Sequence, residues 1–212
     1  MFSVKHKIWA KVCDRKAFIE SLLRAFSDMQ HLYEIHVETQ IHEIASNSAD
    51  GDTDIESTIK SQYLNSFYDG QDNENIFNQA MLILVYSYYE TCISLIAKER
   101  CINSPQKIND LIELICKAIT TPMPKDIRKD CVFLWDKIRE LRNFLVHNNT
   151  LPTSKRRIKI LKSLTEKYPE LQFEDNEIAI TGTGCLFKIL EKEYNVLRWI
   201  CKELGYITQT KI

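Results

Sequence analysis

Glycine and proline are scarce in this chain, five of each among 212 residues. So few turn formers leave little room for the many short strands of a sandwich or barrel, and long helices are expected instead. A surplus of either charge is missing as well: 28 Lys and Arg stand against 29 Asp and Glu. Without a global basic field, any nucleic-acid surface has to be a local patch. Paired cysteine motifs are absent too. Cys13, Cys92, Cys101, Cys116, Cys131, Cys185 and Cys201 are odd in number and never form C-x-x-C, which argues against a structural zinc site. Most fall at apolar positions of helical patterns, as free thiols in a reducing compartment do, so a cytoplasmic location is expected. The opening MFSVKHKIWAKVCDRK is interrupted by charges and lacks the apolar stretch of a secretion signal. The most apolar run, Met81 to Ala97, is short for a bilayer and carries Glu90 near its middle. It is expected as a buried helix, with no membrane partner.

What the chain does have is apolar side chains, 44% of its residues, recurring at helical intervals. Phe18, Leu22, Phe26, Met29, Leu32, Tyr33, Val37, Ile41 and Ile44 lie mostly three and four apart. This predicts a helix over Arg15 to Ser46 with one apolar stripe. Asn47 to Asp54 is polar and predicts a loop, followed by a shorter helix over Ile55 to Tyr68 that Asp69-Gly70 ends. Asn75 to Arg100 is the expected central helix. Ser104-Pro105 offers an N-cap and first helical residue to a helix lined by Ile108, Leu111, Ile112, Ile115 and Ile119, which Pro122 and Pro124 stop. From Pro124 to His147, the residues Ile127, Cys131, Leu134, Ile138, Leu141 and Leu145 alternate steps of four and three, a regular core seam. Asn148 and Asn149 suit its termination. Ser154 suits the cap of a helix reaching Tyr168. Phe173, Ile178 and Ile180 around Asp175-Asn176 predict a small hairpin within Leu171 to Thr181. A last helix, Cys185 to Leu204, ends at Gly205. The expected fold is all-α, a helical bundle with a small C-terminal β-hairpin. It forms a single domain over 1–212, with a helical extension over 1–70 and a core bundle over 75–205.

Several familiar motifs fail on inspection. Asp50, Asp52, Asp54 and Glu56 imitate a calcium loop, but Ile55 stands at the glycine position and Ser61 at the closing glutamate. His42-Glu43 lacks the second histidine of a zincin, because position 46 is Ser. Gly182 and Gly184 lack the third glycine and preceding parallel strand of a dinucleotide site. His31, His36 and His42 are spaced by five and six on one helix, which does not stack them as ligands. No metal and no cofactor are expected.

The segment Arg142-Asn143-Phe144-Leu145-Val146-His147 is different. Histidine supplies or accepts a proton near neutral pH, and a planar guanidinium holds phosphoryl oxygens bidentately. Together they suit RNA cleavage by the 2′-hydroxyl, which needs no metal. Whether His147 serves as acid or base stays open. Arg142 and His147 stand about 140° apart on an ideal helix, so one helix aims them differently and two symmetry-related copies bring them together more readily. A bland reading is also available: an arginine in a surface ion pair and a histidine bonding the last helical carbonyls. Asn143 is placed to orient the phosphate or the arginine. Glu90, inside an apolar helix, needs a partner if buried; Arg142 and a structural partner elsewhere are both open. Lys155, Arg156, Arg157, Lys159 and Lys162 form the densest basic cluster, either a phosphate-binding patch or a solvated helix face.

This segment resembles the HEPN superfamily, whose nuclease members carry Arg, four to six residues, then His, with a polar residue often following the Arg. The likeness covers Asn75 to Gly205, and the first helix fits it less specifically. It implies a small helical bundle with the motif toward the end of a core helix. It also implies a metal-independent endoribonuclease acting on RNA as a homodimer with a shared site, in toxin–antitoxin or anti-phage defence, with an antitoxin or other regulatory protein as a further partner. The rival expectation is a non-catalytic HEPN-like module that binds RNA, nucleotide or a protein partner. A helical oligomeric scaffold without nucleic-acid function is the third.

Overall fold

In the computed structural model, which describes residues 4–49, 52–69, 72–102, 108–147, 155–174 and 177–207, the most apolar stretch of the sequence becomes the centre. The protein is mostly helical, with one small two-stranded sheet near the C-terminus. A helix that is apolar nearly all round needs neighbours on every side. α3 (Asp72–Glu99) has them: α1 (Val4–Ala49), α4 (Ile108–Lys117), α6 (Arg139–Val146), β2 (Glu177–Ile180) and α8 (Gly184–Glu203) all pack on it. Leu82, Val85, Cys92, Ile93 and Ile96 are fully covered, each aliphatic side chain contributing about 1.5–3 kcal/mol by leaving water. By length and composition α3 is long and apolar enough to cross a membrane, and 56% of its most apolar window is buried inside the bundle.

The seam expected from Pro124 to His147 is present, but not as one uniform helix. α5 (Lys125–Phe133) passes through a π-helical turn, Leu134–Ile138, into α6. A π turn takes in one residue more than an α turn. Here it lets one continuous rod change neighbours, since α5 packs on α8 whereas α6 packs on α3. Leu134, Ile138, Leu141, Phe144 and Leu145 are all buried along it. α7 (Lys155–Thr165) then returns alongside and touches β1 (Leu171–Glu174).

β1 pairs antiparallel with β2, Leu171 opposite Ile180 and Phe173 opposite Ile178. A lone hairpin leaves backbone groups unpaired at its edges. Three amides of α3 serve them: Asn78 Nδ2 donates to the Ile180 carbonyl at 2.8 Å, Gln79 Nε2 donates to the Ile178 carbonyl at 2.8 Å, and the Ile180 N–H donates to Asn75 Oδ1 at 2.9 Å. α8 opens at Gly184, where an added Cβ would fall 2.5 Å from Glu170 Oε1 and oblige that carboxylate, the end of a flexible side chain, to move aside. It closes at Gly205, whose φ of +73° suits glycine, and the Tyr206 N–H reaches back to the Cys201 carbonyl at 2.8 Å.

The first helix differs most from expectation. It is 46 residues long, about 69 Å, and starts well before Arg15. Among its described side chains the buried ones are Ile8, Val12, Ile19 and Leu23, and then Ile41, Ala45 and Ala49. Of the expected stripe, Phe18, Leu22, Met29, Leu32, Tyr33 and Ile44 are exposed, Leu32 at 66%. The reason is length. The bundle covers only the first part of so long a rod, and the 17-residue α2 (Thr53–Asp69), packing on α1, covers part of the rest. Phe26 stacks on Phe77 between the two parts. The loop expected over Asn47 to Asp54 is shorter, because α1 runs to Ala49 and α2 begins at Thr53. The turn and cap residues Gly70, Ser104-Pro105, Asn148, Asn149, Ser154 and Asp175-Asn176 lie outside the described residues. The cysteines are free thiols; Cys92, Cys131, Cys185 and Cys201 are buried, Cys13 and Cys116 partly covered, and Cys101 exposed.

Candidate functional site

Arg142 lies on α6, one turn beyond the π turn, and leans toward α3. Its Nη1 donates to Asn143 Oδ1 at 3.1 Å, and its Nη2 stands 4.0 Å from Glu90 Oε2. The apolar helix thus offers its acid to the motif arginine, as one of the two sequence expectations had it. Glu90 is about one-third exposed and Arg142 somewhat less. The pair is partly wet, and its attraction is correspondingly modest. The Arg142 Nε is buried with no hydrogen-bond partner among the described residues.

His147 closes α6. Its backbone leaves the helical region, φ −94° and ψ 22°, while its N–H donates to the Asn143 carbonyl at 3.2 Å. Its side chain is in an exposed residue, next to Val146, an exposed aliphatic side chain. α6 is regular from Arg139 onward, so the angle of about 140° between Arg142 and His147 stands. Arg142 turns inward toward α3 and His147 sits at the rim.

Folding adds groups that the linear sequence did not point to. Glu193 of α8 is fully buried, and neither carboxylate oxygen has a hydrogen-bond partner among the described residues. Burial, reinforced by the nearby Glu90 charge, holds its carboxyl well above the ordinary range, which favours the protonated form. Tyr86, one turn before Glu90, is also buried. Burial pushes its phenol up, Glu90 and Glu193 push the same way, and Arg139 and Arg142 oppose them. Tyr86, Glu90, Arg139, Arg142 and Glu193 therefore share one electrostatic neighbourhood drawn from three helices. Glu193 had a signal: it sits at a seam position between Ile189 and Val196, where an apolar residue belongs.

The basic cluster after the motif divides. Arg157 is docked, its Nε and Nη2 donating to Glu140 Oε2 at 3.3 and 3.2 Å. That pair fastens α7 to α6. Lys155, Arg156, Lys159 and Lys162 are exposed. Among the described residues no three His, Cys, Asp or Glu side chains group as metal ligands do. Neither protein-family models, nor curated proteins, nor solved structures give a match to this chain.

Proposed function

We propose that this chain is a metal-independent endoribonuclease of the HEPN kind, working as a cytoplasmic homodimer in RNA restriction such as toxin–antitoxin or anti-phage defence. The observation that carries the reading is the Arg142 guanidinium, steadied by Asn143 and Glu90, on the same short helix that His147 ends. In the reaction the 2′-oxygen attacks the neighbouring phosphorus, the O2′–P bond forms and the P–O5′ bond breaks. A 2′,3′-cyclic phosphate and a 5′-hydroxyl result. Arg142 stabilises the charge on the phosphoryl oxygens, and His147 takes the 2′-hydroxyl proton or supplies one to the departing oxygen.

The divergence of the two side chains on one helix favours a site completed by a second copy, in which two arginines and two histidines surround one phosphate. The exposed Val146 beside His147 suits the centre of such an interface. Lys155 and Arg156 would extend it along the RNA, with Arg157 acting indirectly by fixing α7. The charge match between Arg142 and Glu90 favours a second reading, a non-catalytic HEPN-like module in which the arginine is structural.

RNA incubated with purified protein in EDTA separates the two. Cleavage with cyclic-phosphate ends supports the nuclease. Activity that vanishes in chelator and returns with magnesium overturns the metal-independent mechanism. Mixing inactive Arg142→Ala and His147→Ala proteins should restore part of the activity if the site is shared.

A further inference from the structure

The helix that carries the motif has a second cationic region at its other end. Lys125, Arg128, Lys129, Asp136 and Lys137, with Phe133, line an open groove of about 500 Å³ along α5 and the π turn. Their spacing places them on one helical face. Four cations face one acid there, although the whole chain carries a net charge of −1. Next to the groove, Lys167 Nζ lies 4.1 Å from the centroid of the Phe133 ring. Lys192 Nζ, 5.8 Å from the same ring, is paired with Asp130. Lys167 is pushed down from the ordinary lysine range, first by desolvation and then by Lys192 and Lys137. These cations repel one another, and a bound anion would relieve that repulsion.

Three contacts show how this groove relates to the motif. Arg157 holds Glu140, Lys137 Nζ donates to Ser163 Oγ at 2.8 Å, and Lys167 covers Phe133. As one chain ascends the other descends, so α7 runs antiparallel to the α5–α6 rod. Its exposed Lys155, Lys159 and Lys162 are spread along it between the motif end and the groove end. The groove also has an apolar floor, where Val132 is exposed, but Phe133 is buried and its ring is covered by lysine, so no aromatic ring stands open for stacked bases and the cations at the rim are what an RNA strand would meet.

We propose that this groove is an RNA-backbone anchor, gripping phosphates of the strand whose scissile bond lies at Arg142 and His147. Lys129 and His147 are eighteen residues apart, about 27 Å of helix. At about 3.4 Å per stacked nucleotide, roughly eight nucleotides bridge that span, fewer if the strand is extended. The grip is independent of base sequence, since it reads phosphates. The position of the cut relative to the anchor rests on the nuclease reading; the grip itself does not.

The test uses uncleavable 2′-O-methyl RNA, one oligonucleotide of about 16 residues and one of about four, with binding followed by fluorescence anisotropy. The Arg128→Gln/Lys129→Gln protein changes two exposed side chains, and its unfolding curve is expected to match wild type. It should bind the long RNA about tenfold more weakly, with the slope of log affinity against log salt reduced by about 1.4. Binding of the short RNA at the motif should be unchanged. Equal loss for both lengths, no loss for either, or absence of RNA binding by wild type overturns the anchor. So does groove-dependent binding of poly-glutamate without groove-dependent binding of RNA, which would mark an acidic protein partner instead. Groove-dependent binding together with failure to cleave ordinary RNA leaves the anchor standing and removes the nuclease.

Discussion

α1 passes through two environments along its length. From Ile8 to Leu23 its inner face meets α3 and α8 and joins the main core, while from Ile41 to Ala49 it meets α2 and contributes nothing to that core. The residues between them, Met29, Leu32, Tyr33 and Ile35, stay in water. The apolar rows of the two parts look alike in sequence. What separates them is whether other helices are present to cover them, which agrees with the view that helical stability in proteins comes mainly from tertiary packing. The same division holds for chemistry. His31, His36 and His42 of the outer part are exposed, with His42 Nδ1 3.4 Å from Glu56. In the bundle, by contrast, Glu193 is fully enclosed and Arg142 is held by two partners.

The sharpest way to break this comparison is to exchange histidines. His147→Ala should lower RNA cleavage by roughly a hundredfold to ten-thousandfold, the usual worth of a proton-transfer group, while His42→Ala leaves the rate unchanged. Equal losses, measured by single-turnover cleavage of labelled RNA, would place the outer part of α1 in the reaction. Truncating apolar side chains comes next. Phe144→Ala, in the core beside the motif, should cost about 3–5 kcal/mol, whereas Leu32→Ala should stay within about 0.5 kcal/mol, both read from denaturant midpoints.

The third prediction concerns pH. Glu193 is raised in the folded protein, so above the ordinary carboxylate range the unfolded chain gives up this proton while the folded protein keeps it. Stability is therefore lost as pH rises from the ordinary glutamate range toward the raised folded value, by up to about 1.4 kcal/mol per pH unit. Glu193→Gln should remove that slope, and Glu56→Gln in the outer part should leave it. Unfolding curves taken across the pH range compare them. The smallest difference is expected between ion pairs. Arg157→Gln, which breaks a partly buried contact holding α7, should cost about 1 kcal/mol, and Glu56→Gln only a few tenths.

Most of the bundle was legible because its helices obey a single period. The rows through α3, α5, α6 and α8 predicted their elements closely, and the alternation at Phe173, Ile178 and Ile180 predicted the strands. The face that α1 buries is not legible in this way, because a helix with two apolar rows does not declare which one will be covered. The π turn left no trace, since Cys131, Leu134, Ile138 and Leu141 keep the same four-three steps in a uniform helix. At the candidate site, Arg142, Asn143 and His147 were visible as neighbours in sequence, and Glu90 as an acid in an apolar run. Tyr86 and Glu193 join Arg142 only through the fold, each from a helix more than fifty positions away, while Arg139 stands one turn before Arg142 on the same helix. The groove on α5 was hidden by alternation: Asp126 and Asp130 sit among its cations in sequence, yet neither lines it.

The π turn also has a bearing on how firmly the motif arginine is aimed. A turn of this kind stores one surplus residue, and shifting that surplus past a position rotates the side chain there by about 100° without displacing the ends of the rod. The surplus now rests at Leu134–Ile138, a single turn before Arg142. The direction of the guanidinium is thus set as much by where this slack is parked as by the residues that touch it, which makes Leu134–Ile138 an angular joint within a helix that never has to bend.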